Sequence, residues 1–362
     1  MKNVKCRMQN AECMVRRNFH DFPYSLRAFR STFFILHSAF SILHFGCSTK
    51  PYSSGEPGGL VVVADEFDRP VIRGAVERTF GREIETPQGE PHFRIEWIDA
   101  GRIGDRSRSP ILLMAATTDG EGPTAEMVRK MLTGSVAEGV AAGDYLVFRR
   151  EDPWARDQLL LMLVGRSRRE LGDRAGAWCD SLYRWAYDFE MRRTTRSLFR
   201  RGEQTALAAE LERRYGFRLR IQHDYLLAEE NDSLQFVRLL RHYPDRWLTV
   251  AWGDLDSLTL LTPLFVFDRR RTIGNTFLDP VVQYEERMRA DRSRLGNRDA
   301  ILIRGLWATV DPTGGGPFFS YAIADSSRNR YYIIDGAVFA PGEPKMPFLW
   351  QLDAIARTFE PR

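Results

Sequence analysis

The sequence predicts an α+β protein on three observations. Short apolar runs of strand length alternate with helical stretches up to residue 164. One long amphipathic helix follows, and the second half then mixes strands and helices without strict alternation. Residues 60–65 (LVVVAD) are the first strand-like run. Asp68, as cap, and Pro70 open a helix that Gly81 closes. Residues 92–99 alternate with period two, 111–117 form a second apolar run, 123–132 read as helix and 144–149 as strand. The order over 60–149 is therefore β-α-β-β-α-β, a ferredoxin-like arrangement with both helices expected on one face of one sheet. Residues 159–164 add a further strand.

Ser167 and Glu170 read as a capping box. Beyond it Leu171, Ala175, Trp178, Leu182, Trp185 and Phe189 recur at spacings of 4 and 3, which predicts one buried stripe. Cys179 within that helix is expected to pack as a small hydrophobe. Arg192, Arg196 and Arg200 continue the helix and complement its dipole. The second half is a further mixed sheet-and-helix part. Its expected elements are a helix at 203–214, strands at 217–223, 234–241 and 247–252, and a long helix at 280–294. Strands at 301–310, 318–324 and 330–334 and a helix at 346–359 complete it. The domain expectation is a leader (1–46), a tether (47–59), an α+β subdomain ending in the long helix (60–201) and a second α+β subdomain (202–362).

Charge is unevenly placed. The chain carries a formal +4, but residues 1–46 hold seven basic and two acidic side chains, which leaves 45 basic and 46 acidic groups in 47–362. The folded part therefore has no general attraction for nucleic acid. Basic residues up to Arg30 precede an apolar run at 32–46, too short to span a membrane and of the length of a signal-peptide core. Gly46-Cys47 ends it, the small residue and cysteine that lipoprotein processing uses, although His44 stands where a leucine is usual. Cys47 is thus the expected lipidation site. Removing the leader leaves Cys179 as the one further cysteine, so no intrachain disulfide is expected. Ser48, not aspartate, follows Cys47, which favours the outer membrane facing the periplasm.

Most catalytic signatures are missing: no G-x-G-x-x-G after a strand, no G-x-x-x-x-G-K-[ST], no G-x-S-x-G and no H-E-x-x-H. Gly314, Gly315 and Gly316 read as a hairpin turn. The histidines beyond the leader, His92, His223 and His242, stand at no metal-ligand spacing, so no metal and no cofactor are expected. Asp254 and Asp256 read as solvated acids on a loop, and Asp65 and Glu90 as carboxylates near strand ends. No catalytic residue is assigned.

Several segments resemble a known family. Residues 86–93 (TPQGEPHF), Arg304-Gly-Leu-Trp307, residues 315–318 (GGPF) with Ser320-Tyr321, and Val338-Phe-Ala-Pro341 followed by Lys345 resemble an uncharacterised family of bacterial envelope lipoproteins, the domain of unknown function numbered 4837. The resemblance extends over nearly all of 47–362 and implies an exported, lipid-anchored protein without assigned catalytic residues. Its partners would be the membrane, through the anchor, and an envelope protein, glycan or lipid, with no nucleic acid. The alternative is a periplasmic hydrolase of cell-wall or glycan material using carboxylates. Gln88, Glu90, Arg304, Trp307 and Lys345 combine charge and aromaticity beside tight turns and are expected to meet on one binding surface. The plainer expectation is a Glu90–Arg304 ion pair with Trp307 in the core.

Overall fold

Val61, Val62 and Val63 are paired on both sides, which makes the first apolar run an inner strand. The computed structural model describes residues 50–255, 261–275, 281–310 and 314–362; the leader, Cys47 and Asp256 lie outside them. The first half runs β1 (Gly59–Val63), α1 (Arg69–Phe80), β2 (Glu83–Ile84), β3 (Glu90–Pro91), β4 (Arg94–Ile98), α2 (Ile103–Arg106), β5 (Ile111–Thr117), α3 (Pro123–Met131), α4 (Ser135–Ala142), β6 (Val147–Glu151), β7 (Leu159–Gly165) and α5 (Arg168–Phe199). Five strands form one sheet in the order β4-β1-β5-β7-β6, parallel except for the edge strand β6.

The α+β class stands, but the ferredoxin-like order does not. β4 lies beside β1 and parallel to it, and helices cover both faces. Leu60, Val62, Leu113 and Leu161 pack toward α1 and α5, while Val61, Leu112, Met114 and Leu160 pack under α3 and α4. β5 and β7 are buried at every position, which requires an unbroken apolar run and not an alternating one. Asp68 occupies the cap position of α1 without capping it; its carboxylate pairs with Arg168 at 3.3 Å.

α5 is 32 residues long, about 48 Å at 1.5 Å per residue. Ser167 Oγ accepts from the Glu170 amide at 3.4 Å, but the Glu170 carboxylate reaches back to the amide of Arg166, one residue before the cap. The buried line is Leu171, Ala175, Cys179, Leu182, Ala186 and Phe189. Trp178 and Trp185 are half-buried on its flank. A straight α-helix drifts by about 20° per heptad against a seven-residue repeat, so the buried line leaves the two tryptophans for Cys179 and Ala186. Burial pushes the Cys179 thiol up to about 11, which suits an inert packing group.

The second half runs α6 (Thr205–Tyr215), β8 (Phe217–Arg218), β9 (Leu226–Asn231), β10 (Phe236–Arg241), β11 (Asp245–Asp254), α7 (Pro263–Gly274), β12 (Val281–Gln283), β13 (Arg289–Leu295), β14 (Arg298–Thr309), β15 (Gly315–Asp325), β16 (Arg330–Phe339), α8 (Met346–Ala356) and β17 (Glu360–Pro361). An eight-stranded antiparallel sheet has the order β12-β14-β15-β16-β11-β10-β9, with β13 also on β14. The helix expected at 280–294 is therefore two strands around a 3-10 turn. β13 (RADRSRL) is a mostly exposed strand whose charges imitate a solvated helix face, as charged edge strands do.

Alternation divides this sheet cleanly. Leu302, Phe319, Tyr321, Ile323 and Ile334 face α8, and Ile303, Trp307, Phe318, Ala322 and Ile333 face α7. The face toward α8 joins the α5 face of the first sheet in one continuous core. Residues 49–362 pack as a single unit. From Tyr52 the Ser/Gly/Pro-rich segment is hydrogen-bonded to the loops at Arg108 and Arg156. Among the described residues no helix is long and apolar enough to cross a membrane.

Candidate functional site

Doubly wound sheets bind ligands where the strand order reverses, here at the ends of β1 and β5. That crevice is filled from within. The Asp65 carboxylate accepts from the amides of Thr124 at 2.9 Å and Ala125 at 3.0 Å, capping α3. A Cβ at Gly122 would fall on the same carboxylate, so the fit is close.

A second concavity lies at the seam of the two sheets. Residues 83–91 fold into the β2–β3 hairpin, with the Gly89 amide donating to the Thr86 carbonyl and Gly89 at φ +68°. Glu90 leaves the hairpin toward α8, and its carboxylate accepts from the amides of Lys345 (2.8 and 2.9 Å) and Met346 (2.9 Å). Lys345, at the cap position, offers no side-chain cap of its own, so Glu90 caps α8 from 255 residues away. Replacing Glu90 with alanine is expected to cost about 0.5–2 kcal/mol, the worth of an N-cap, read as a lowered urea midpoint.

The α8 thus anchored carries Trp350, Asp353 and Arg357 into the seam. The Trp350 ring stacks on His92 at 4.6 Å and 10°, and its Nε1 donates to the His92 carbonyl at 3.3 Å. Tyr183 of α5 shares a 2.6 Å hydrogen bond with His92 Nδ1. Asp353 accepts from the hydroxyls of Tyr187 (2.6 Å) and Tyr321 (2.8 Å) and from Arg357 Nε (3.1 Å). Arg357 closes the network by donating to both tyrosine oxygens at 2.8 Å. Burial pushes the Asp353 carboxyl up, but Arg357, the two hydroxyls and Arg304 together hold it below its usual value. Burial, with Arg304 and Arg82 adding to it, pushes the His92 imidazole down to about 3, so it is neutral at pH 7. Burial also raises the Tyr187 hydroxyl well above the usual tyrosine value. The pocket above this network measures about 40 Å³ and is lined by Tyr187, Arg304, Phe318, Phe319, Tyr321 and Trp350, among others.

Three of the five expected surface residues reach this seam. Glu90 and Lys345 meet at the start of α8, through the Lys345 amide and not its ammonium. Arg304 lines the pocket and pairs at 3.2 Å with Asp291, not with Glu90. Gln88 is exposed on the hairpin turn. Trp307 is on the other side of the sheet, because a spacing of three along β14 reverses the face. It sits in the core beneath α7, its Nε1 without an acceptor among the described residues, beside a cavity of about 70 Å³. The arginines there are matched: Arg238 pairs with Glu229 and Arg270 with Asp335 at 2.7 Å. Among the described residues no group of three or more histidine, cysteine or acidic side chains is placed to hold a metal ion.

Residues 204–358 match the family model described as Domain of unknown function (DUF4837). Arg304, Trp307 and Lys345 lie inside the match, while Gln88, Glu90 and His92 lie before it. The matched segment thus includes α8 and β14, and the first half supplies the hairpin and α5. No curated protein matches the chain. Two solved structures are similar over 40% of it: the Ran-binding protein Mog1p of Saccharomyces cerevisiae (11% identity, 89% of that chain, TM-score 0.29) and LpqN, involved in cell envelope biogenesis of Mycobacterium tuberculosis (12% identity, 81% of that chain, TM-score 0.27). Likeness at those scores carries no argument about what this chain does.

The sequence reading missed Tyr183, Tyr187, Tyr321, Asp353 and Arg357. One signal was present: Asp353 and Arg357 stand four apart at the end of a mostly apolar helix, as do Tyr183 and Tyr187 on α5. Polar tips recurring on a buried face must find partners.

Proposed function

We propose that the chain is an exported, lipid-anchored envelope protein that acts by binding and not by catalysis. The observation that carries the non-catalytic part is that the carboxylates a hydrolase would need are already occupied. Asp65 caps α3, Glu90 caps α8, and Asp353 accepts from Tyr187, Tyr321 and Arg357. A general base needs a free lone pair facing substrate, and a general acid needs a raised pKa. The Asp353 carboxyl is held low instead. The anchored, exported part rests on the apolar run at 32–46 ending in Gly46-Cys47, and the outer membrane facing the periplasm is the location that Ser48 favours. The partner on this reading is an envelope protein, glycan or lipid, in addition to the membrane.

Mass spectrometry of the protein extracted from its native envelope should find acylation at Cys47, lost in Cys47→Ser together with membrane retention. An intact, unmodified N-terminus upstream of Cys47 overturns the anchor. Incubation with cell-wall glycan should give no products; turnover by the native protein that Asp353→Asn abolishes overturns the non-catalytic reading.

A further inference from the structure

The charges around the seam pocket do not cancel. On the negative side, Asp353 is matched by Arg357, Glu90 is spent on the α8 amides, and Glu85 is held by Arg287 at 2.5 Å. Glu83 turns back toward Gly89 on the hairpin. His92, deep in the pocket wall, is uncharged at pH 7. On the positive side, the Arg82 guanidinium lies 3.8 Å from the Tyr183 ring centroid and has no carboxylate partner among the described residues. Arg304 reaches into the pocket, and its one ion pair among the described residues is with Asp291, whose side chain is 62% exposed. So exposed a pair is worth little and is readily exchanged for a ligand anion.

The walls specify the rest. Trp350, Tyr187 and Phe319 present ring surface beside that guanidinium. A volume of about 40 Å³ holds a few waters' worth of matter, since one water needs about 10–15 Å³ on this scale. That accommodates a carboxylate but not a nucleotide. A guanidinium fork matches a carboxylate in two parallel hydrogen bonds. A phosphate dianion would bring a second negative charge toward Asp353.

We propose that the seam pocket binds a short-chain carboxylate of about the size of acetate, the carboxylate on Arg304 and the methyl group against the surrounding rings. The proposal deepens the binding reading and rests on it. Arg304 is the anchoring residue, Asp291 the side chain it gives up, and the Asp353 network the rigid floor.

Isothermal titration of the full chain with acetate, acetamide and methyl phosphate tests it. Acetate should bind, and acetamide should bind about tenfold more weakly or worse, since a hydrogen bond to a charged group is lost. Arg304→Gln should weaken acetate by a similar factor, leave acetamide unchanged and melt close to wild type. Asp291→Asn, on an exposed side chain, should bind acetate at least as tightly as wild type. Absence of acetate binding, equal binding of acetamide, tighter binding of methyl phosphate, an unaffected Arg304→Gln or a weakened Asp291→Asn each overturns the proposal. Any of these without turnover of cell-wall glycan leaves the non-catalytic reading standing. Turnover that depends on Asp353 removes that reading whatever acetate does.

Discussion

Asp353→Ala is expected to lower the stability of the protein by about 3 kcal/mol or more, because it strips the negative member from a buried pair. The carboxylate accepts from Tyr187, Tyr321 and Arg357, and its side chain is only 16% exposed. Alanine leaves the Arg357 guanidinium and two phenolic hydroxyls in the seam with only one another, a buried positive charge with no carboxylate to offset its desolvation. The urea midpoint should fall without a change in slope. Tyr187→Phe and Tyr321→Phe each remove one donor and should cost about 1 kcal/mol, with the pair departing from additivity because both act on one acceptor. The pH dependence has a fixed sign. The folded carboxyl titrates below its unfolded value, so its contribution is present above about pH 4 and is lost as pH falls through the folded value. A variant within 1 kcal/mol of wild type would show that the network is incidental.

Local pattern made the strands of the second half legible. Residues 247–252 and 318–324 became the central parts of β11 and β15, and 330–334 the first half of β16, since runs of aromatic and β-branched residues bounded by turns have few other uses. The parallel sheet was less legible. Its strands were found, but their order depends on which side each crossover passes, and nothing in an apolar run records that. The failed helix at 280–294 has a more specific cause. An edge strand facing water and a solvated helix face draw on the same charged residues, and only the partner strand β14 decides between them.

The candidate surface was half legible for geometric reasons. Glu90 was singled out as a polar residue beside a turn, but its partners are backbone amides at the start of α8, and backbone donors carry no side-chain signature. Arg304 and Trp307 were grouped because they are close in sequence, yet in a strand an odd separation sends them to opposite faces. Period two, read strictly, would have separated them. Asp353 and Arg357 were overlooked because residues 346–359 were read only as a closing helix. Their four-residue spacing carries meaning only once Tyr187 and Tyr321 are known to face them.

His92→Gln is expected to make the protein less sensitive to acid. The imidazole of the wild-type protein titrates at about 3 when folded, pushed down first by burial and then by Arg304 and Arg82, against about 6.5 when unfolded. As pH falls below about 6.5 the unfolded chain takes up a proton that the folded chain refuses, so unfolding is favoured by about 1.4 kcal/mol per pH unit down to the folded value. Above pH 7 neither state is protonated at this residue and nothing is lost. Urea midpoints measured at pH 6.5 and 4.5 should therefore show wild type losing about 2–3 kcal/mol more than His92→Gln over that interval. The carboxylates that also weaken at low pH are common to both proteins and drop out of the difference. At neutral pH the glutamine variant should be the less stable of the two, since it gives up the stack on Trp350 and the Tyr183 hydrogen bond. The two stability curves should then converge as the solution is acidified. Parallel curves would mean that His92 is protonated in the folded protein, and the surplus of positive charge at the pocket mouth would then extend to its wall.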